Sequence, residues 1–540
     1  MAIAQKLSYR VKLGIIIILT LAALLPFVNK AFHIDDTTLI YCARQILKTP
    51  LLSYSDATTN WFGFPQSLWL FTDAPLLSYY VAFVIKIMGE NELWLHIFYL
   101  IFPVIAIISM YLLSKRFNIP ALLSTLLLVS TPCFMVCATN IMPDVALLAF
   151  YLTTVCAFIY GIDRENKWWL IISGFLAGLT CLIKYPGLTV IPVLFFYSIM
   201  KRKFLKGILS LSICLGIIGI CCLHNIVFLG KTHFITLLYW HKYFKLTSLS
   251  ILSNSLGTLS IIGGATIFPF LFILLIRIRK DLCIYFFIIW LALLIFIYFL
   301  KEYTLFRLTL VVLLASLGTL FYQKAINLLN DKGVNRIDII FLLIWLGVIS
   351  CYNIFVITWF ASPKYTLFLI PPMICLFLKS LSQEINKKRF YTFIVYTGVI
   401  LNFVLSVSIT HADYIYADTY RNFVQTHVKY LKEKPEKIWF RGHWGFQYYM
   451  EKEGFTYLAL NDMPEKGQII IMPFICDHES FSQDLKEKLK LVRIINYKSW
   501  YPIRIMLPRD RVNFYTYEIG SLPYGISIEP LETFQIWQAE

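Results

Sequence analysis

From residue 11 to about residue 409, apolar stretches of about 20 residues alternate with short knots of charge or with Pro and Gly. Such a stretch, wound as a helix at about 1.5 Å per residue, covers the hydrocarbon of a bilayer. No water is present there to satisfy backbone N–H and C=O groups, so the segments must be helices. The pattern predicts about thirteen spans, near 11–28, 93–114, 120–137, 143–161, 168–183, 186–200, 205–228, 252–276, 282–300, 307–322, 338–359, 364–380 and 390–409. Only 15% of the 540 residues are charged and 59% are hydrophobic, whereas about a quarter of a soluble chain is charged. After about 409 the charges spread out and the long apolar runs stop. The expected architecture is an all-α polytopic membrane domain over 1–409, with an outer loop at 29–92, and a small C-terminal α/β domain over 410–540.

Short cytoplasmic loops collect Lys and Arg. With the N-terminus in the cytoplasm, Lys6, Arg10 and Lys12 lie inside, as do Lys115-Arg116, Arg164 with Lys167, and Lys201-Arg202-Lys203 with Lys206. The same holds for Arg277 to Lys280, for Lys324 with Lys332 and Arg336, and for Lys379 with Lys387 to Arg389. An odd number of spans then puts the C-terminal domain on the extracytoplasmic face, as in a multi-pass plasma-membrane protein. The first apolar run is long for a signal-peptide core and no small-x-small site follows it, so it reads as a span. The net charge of +17 does not signal nucleic acid, because the cations are scattered between spans and form no single footprint. Most of the twelve Cys sit inside apolar runs as packing residues, and no CxxC pattern suggests a metal.

Ionisable groups left on the outer side at membrane depth are candidates for function. Asp35-Asp36 follow the first span and precede a short helix, Thr37 to Lys48. One Asp there reads as a helix cap, whereas two together also suit chemistry. Asp144 follows Pro143 at a span start, where it complements the helix dipole or supplies a second carboxylate to an outer cavity. Lys184, Lys301, Arg307 and Lys364 oppose the positive-inside trend. Each alone reads as a snorkelling cation, and together they suggest an anionic ligand such as a phosphate. The loop 29–92 carries many aromatics, including Trp61 and Trp69, and reads as interfacial amphipathic helices. In the C-terminal domain the pattern suggests a helix over Tyr416 to Leu431, a strand over Lys437 to Phe440, a helix over Trp444 to Glu453 and a strand over Gln468 to Met472. Gly442-His443-Trp444-Gly445-Phe446 reads as a packed aromatic turn or as an acceptor contact.

At these residues the chain resembles the GT-C glycosyltransferases that use polyprenyl-phosphate sugars, particularly the protein O-mannosyltransferases and lipid A aminoarabinose transferases of glycosyltransferase family 39. Asp35-Asp36 through Arg44-Gln45-Ile46-Leu47 is similar to the family's first outer-loop motif, and Asn140-Ile141-Met142-Pro143-Asp144 to its second acidic motif. Leu182-Ile183-Lys184-Tyr185-Pro186-Gly187 is similar to its Lys-x-Pro turn, and Ser362-Pro363-Lys364-Tyr365 to its Arg-Tyr region. Four departures stand out: Asp36 replaces a Glu, Leu39 stands where an aromatic is common, Lys364 replaces an Arg, and Thr72-Asp73-Ala74-Pro75-Leu76 puts an acid where a base is usual. The resemblance implies inverting sugar transfer from a polyprenyl-phosphate donor to a protein, lipid or glycan acceptor on the outer face of the bilayer. It implies Asp35 as the residue that deprotonates or orients the acceptor hydroxyl, supported by Asp36 or Asp144. Lys184, Arg307, Lys364, Tyr365 and Arg44 would hold the donor phosphate. It implies no metal and no cofactor beyond the lipid-linked sugar, and no nucleic acid. A transporter or flippase of lipid-linked sugars is the alternative, and it expects paired halves with charges near the bilayer midplane.

Overall fold

The structure is a computed structural model; it describes residues 8–61, 63–70, 72–242, 248–266, 303–331, 335–356, 362–385, 389–428, 437–476, 481–507, 512–515 and 522–540. The expected span 282–300, the second half of 252–276, and Lys301 lie outside the described residues.

The chain is mostly helical. Among the described residues, 8 helices are long and apolar enough to cross a membrane. Helix starts follow local chemistry. Asn91, Asn166 and Asn335 cap Glu92–Tyr99, Lys167–Ile183 and Arg336–Cys351 by accepting backbone N–H bonds. Pro143 and Pro363 open the helices that carry Asp144 and Lys364. The expected span 120–137 is two helices, Ala121–Val129 and Pro132–Ala138, bent by 64°. Pro132 has no N–H and holds Thr131 extended, which breaks the ladder. The freed groups find partners on the long helix Arg389–Phe423: Ser406 Oγ donates to the Ser130 carbonyl at 2.5 Å.

Packing decides which helices sit centrally. The spans Pro143–Asp163 and Pro363–Leu381 are 83% and 89% buried, whereas Phe204–Leu229 is 11% buried and faces outward. That outer helix docks on Lys167–Ile183 through Gly174 and Gly178, where an added Cβ would lie 2.6 Å from the Ser210 carbonyl and 2.7 Å from Ile217. Small residues at this spacing let helix backbones approach closely in lipid. One end of the bundle gathers Arg116 with Asp163 and Asp338, and Lys203 and Lys206 on Glu165 at 2.8 and 2.9 Å. The outer-loop segment and the C-terminal sheet lie at the other end.

The loop at 29–92, expected as interfacial amphipathic helices, is mixed in structure. It holds the amphipathic helix Asp35–Lys48, a short hairpin of Thr58–Thr59 with Gln66–Ser67, and an apolar helix, Leu76–Met88. The helix expected from Tyr416 is no separate element; Arg389–Phe423 runs through the 409–410 boundary and continues to Val428. Apolar burial on one side drives this: Tyr416, Ala417, Tyr420 and Phe423 repeat at helical spacing and are all buried. The expected strands and helix after it form Ile438–Phe440, Trp444–Lys452 and Ile469–Pro473. A five-stranded mixed sheet results, in the order Thr456–Tyr457, Ile438–Phe440, Ile469–Pro473, Glu532–Ala539, Leu489–Tyr497. The first three strands are parallel and the last two pair antiparallel.

The sheet's first helix seats this unit on the outer loop. An added Cβ at Gly445 would lie 2.5 Å from the Phe32 carbonyl, so only glycine fits. Tyr449 Oη accepts from the Phe32 N–H at 2.9 Å, and Phe32 meets the Tyr448 ring edge-on at 5.1 Å. Gly442 to Phe446 is thus a packed aromatic turn against the segment that precedes Asp35.

Candidate active site

Asp35 opens the helix Asp35–Lys48, and Ile34 before it has φ +47°. A β-branched residue in that region is strained by about 1–3 kcal/mol, and such strain concentrates at functional sites. The two neighbouring acids diverge from this turn. Asp36 is fully buried; its Oδ2 accepts the His33 N–H at 3.1 Å and its Oδ1 the Ile141 N–H at 2.8 Å. Burial pushes its carboxyl up to about 7 against the pull of Lys30 and those two N–H groups. Both oxygens of Asp36 are therefore spent on backbone, tying the outer loop to the turn that carries Asp144.

Asp35 instead faces Lys364, whose Nζ donates to its Oδ2 at 2.8 Å. Burial raises the Asp35 carboxyl, but Lys364 and Lys184 outweigh it and hold it below its ordinary value. Lys184, at the C-terminal end of Lys167–Ile183, donates to Asp144 Oδ1 at 3.2 Å and lies 3.4 Å from Asp73 Oδ2. The Tyr365 ring lies 5.1 Å from the Lys184 ammonium and 5.6 Å from that of Lys364. The lysine side chains are only 5% and 8% exposed and Asp144 is 0% exposed, while Asp35 and Asp73 are 27% and 35% exposed. Solvent thus reaches the carboxylates of Asp35 and Asp73 before it reaches either cation. Asp144 Oδ2 has no hydrogen-bond partner among the described residues.

Of the residues singled out by sequence, Asp35, Asp144, Lys184, Lys364 and Tyr365 come together. Arg44 does not join them. It sits nine residues further along its helix, about 13 Å away, and grips Glu90 through Nε and Nη2 at 2.7 and 2.6 Å. Arg307 belongs to the helix Tyr303–Asn327, and its side chain lies outside the described residues. Asp73 is the member that sequence reasoning missed; its one signal was an acid where the resemblance expects a base.

A second polar knot lies behind the first. Lys30 Nζ donates to Asn140 Oδ1 at 2.6 Å and pairs with Asp413 of the long helix. Asn140 Nδ2 donates to Asp413 at 3.2 Å and to Tyr515 Oη, in the C-terminal unit, at 2.9 Å. His33 stands 3.8 Å from Asp413, and burial and Lys30 push its imidazole well below its ordinary value. The knot joins the approach to Asp35, the turn before Asp144, the last long helix and the C-terminal unit. Among the described residues no group of three or more His, Cys, Asp or Glu could hold a metal ion.

Comparison with known proteins fits this architecture. Residues 72–227 match the family model described as dolichyl-phosphate-mannose-protein mannosyltransferase. No curated protein sequence matches the chain. The fold is similar to the Archaeoglobus fulgidus oligosaccharyltransferase solved with a tethered acceptor peptide: TM-score 0.52, 12% identity, covering 83% of this chain and 63% of that one. The same organism's oligosaccharyltransferase AglB, solved with an inhibitory peptide and a dolichol-phosphate, gives TM-score 0.50 at 11% identity, over 83% and 64%. ArnT from Cupriavidus metallidurans, bound to undecaprenyl phosphate, gives TM-score 0.42 at 12% identity, over 86% and 93%. The chain thus spans less than two thirds of the archaeal protein's length. The GT-C resemblance read from the sequence is borne out in the fold.

Proposed function

We propose that this chain, a GT-C-fold membrane protein, is a glycosyltransferase that moves a sugar from a polyprenyl-phosphate donor to a hydroxyl of a protein, lipid or glycan acceptor, with inversion, on the extracytoplasmic face. The observation that carries the reading is the paired cluster of Asp35 with Lys364 and Asp144 with Lys184 at one end of the central spans. The match of residues 72–227 to a mannosyltransferase family model and the archaeal fold likeness support it. The topology that goes with it has about thirteen spans, a cytoplasmic N-terminus and an extracytoplasmic α/β domain from about residue 410.

In this reaction the acceptor oxygen forms a bond to the anomeric carbon while the bond from that carbon to the phosphate oxygen breaks. The hydroxyl proton passes to Asp35 as the new bond forms, and the electron pair stays on the departing lipid phosphate. Asp35 is held ionised, so it orients the hydroxyl before it accepts the proton. Asp144 Oδ2, buried and unpartnered among the described residues, is ready to accept a hydrogen bond from a substrate hydroxyl. Lys184 and Lys364 lie where fixed positive charge steadies the phosphate, which is worth most in a water-poor site. Arg307 and Tyr365 complete the proposed donor contacts, and Asp36 acts as a positioning residue. A lipid phosphate is a good leaving group, so no separate acid is needed, and the step as written uses no metal. The transporter alternative is weaker, because the cluster lies at helix ends.

The test is sugar transfer in membranes, comparing wild type with Asp35→Asn and Asp144→Asn at matched expression, read by mass spectrometry of donor loss and acceptor gain. Asp35→Asn should lower turnover by about 10²–10⁴. Full turnover in both variants would sink the site assignment.

A further inference from the structure

Among the described residues, the cluster around Lys184 and Lys364 holds three carboxylates against two ammonium groups, and the surplus can be identified. Asp35 has Lys364 at 2.8 Å, and buried Asp144 has Lys184 at 3.2 Å. Asp73, the most exposed of the three, only shares Lys184, at 3.4 Å. Its main chain is pinned separately, since the buried Tyr54 hydroxyl donates to the Asp73 carbonyl. The side chain can therefore turn away without moving the loop. An anionic phosphate that approaches Lys184 meets this carboxylate first, and like charges at such range repel strongly where water is scarce.

We propose that Asp73 is the exchangeable counterion of Lys184: it occupies the ammonium in the resting site, is displaced when the donor phosphate binds, and returns to expel the lipid phosphate after transfer. This rests on the polyprenyl-phosphate reading above. The chemistry of the cycle is consistent. The donor phosphodiester carries one negative charge, and the product phosphate monoester carries up to two near neutral pH. A returning carboxylate thus opposes the product more than the substrate. Burial and the neighbouring Asp144 and Asp35 raise the Asp73 carboxyl, against Lys184 and Lys364, so displacement with proton uptake is accessible. Tyr54, Tyr185, Tyr352, Tyr365 and Cys42 also feel its charge.

The experiment titrates undecaprenyl phosphate into the full-length detergent-solubilised protein from pH 5 to 8, for wild type, Asp73→Asn and Asp73→Glu, and measures donor KM, kcat and product inhibition in parallel. The inference expects Asp73→Asn to bind the lipid phosphate roughly tenfold more tightly at pH 8. That gain should shrink as pH falls, because burial and the neighbouring acids raise the wild-type Asp73 carboxyl and favour its taking up a proton. Product inhibition should deepen, and Asp73→Glu should stay close to wild type. Equal or weaker lipid-phosphate binding by Asp73→Asn overturns the inference, as does a fall in kcat with unchanged phosphate binding. Wild-type protein that binds no polyprenyl phosphate takes down the functional reading as well, which separates the two failures.

Discussion

Replacing Lys30 by Met strips the buried Asp413 of the one lysine that pairs with it among the described residues. Both side chains are 0% exposed. The lost terms are the charge pair and the 2.6 Å bond to Asn140 Oδ1. What remains is a buried carboxylate whose nearest basic neighbour among the described residues is His33 at 3.8 Å, and burial, the larger cause of that imidazole's depression, still opposes its charging once Lys30 is gone. Breaking one side of such a pair costs about 3–5 kcal/mol, while replacing both partners with well-packed apolar residues is often close to neutral. Lys30→Met and Asp413→Leu should therefore each unfold at clearly lower temperature, and the double variant should recover much of the loss. Thermal unfolding in detergent, followed by tryptophan fluorescence, reads the cycle. The knot anchors the approaches to both Asp35 and Asp144, so each single variant should also lose turnover. Additive losses in the double variant, or a single variant as stable as wild type, would refute the buried pair.

Three further outcomes follow from the geometry. Burial holds Asp36 at about 7 against an ordinary 3.8, so its contribution to stability is full only below about 4 and fades as pH rises through about 7. Asp36→Asn should flatten the melting temperature between those limits, and it should lower turnover less than Asp35→Asn does. Arg44→Ala removes a part-exposed pair with Glu90, so stability should fall by less than about 1 kcal/mol, and turnover should stay within about twofold of wild type in the same transfer assay. Gly445→Ala drives a Cβ into the Phe32 carbonyl; it should cost about 1–3 kcal/mol and speed limited proteolysis of the C-terminal unit.

Much of this was legible because the bilayer imposes a simple code. That the chain carries many membrane-length helices, 8 among the described residues, and that Asp35, Asp144, Lys184 and Lys364 stand out from the expected charge pattern, could be read from apolar length and charge placement. The roles of neighbouring acids could not. Asp35 and Asp36 look interchangeable in sequence; only the helix start at Ile34 sends one to Lys364 and the other to two backbone N–H groups. Lys30 and Asp413 carried no signal, since they are 383 residues apart and each lies beside an apolar run. Arg44 fitted a motif, yet helical rise carries it away from the cluster. The helix expected at Tyr416 merged with its neighbour because its apolar face continues that of the preceding span.

The helix Arg389–Phe423 has 35 residues, about 52 Å of rod, against a hydrocarbon layer of about 30 Å. In the proposed topology a stiff mast stands clear of the lipid and carries the outer sheet at a set height. In that topology the distance from bilayer surface to the Asp35 cluster would act as a ruler. Acceptors would be selected by how far their hydroxyl stands above the headgroups as well as by their chemistry, and a thicker or thinner membrane would shift that selection without touching a single active-site residue.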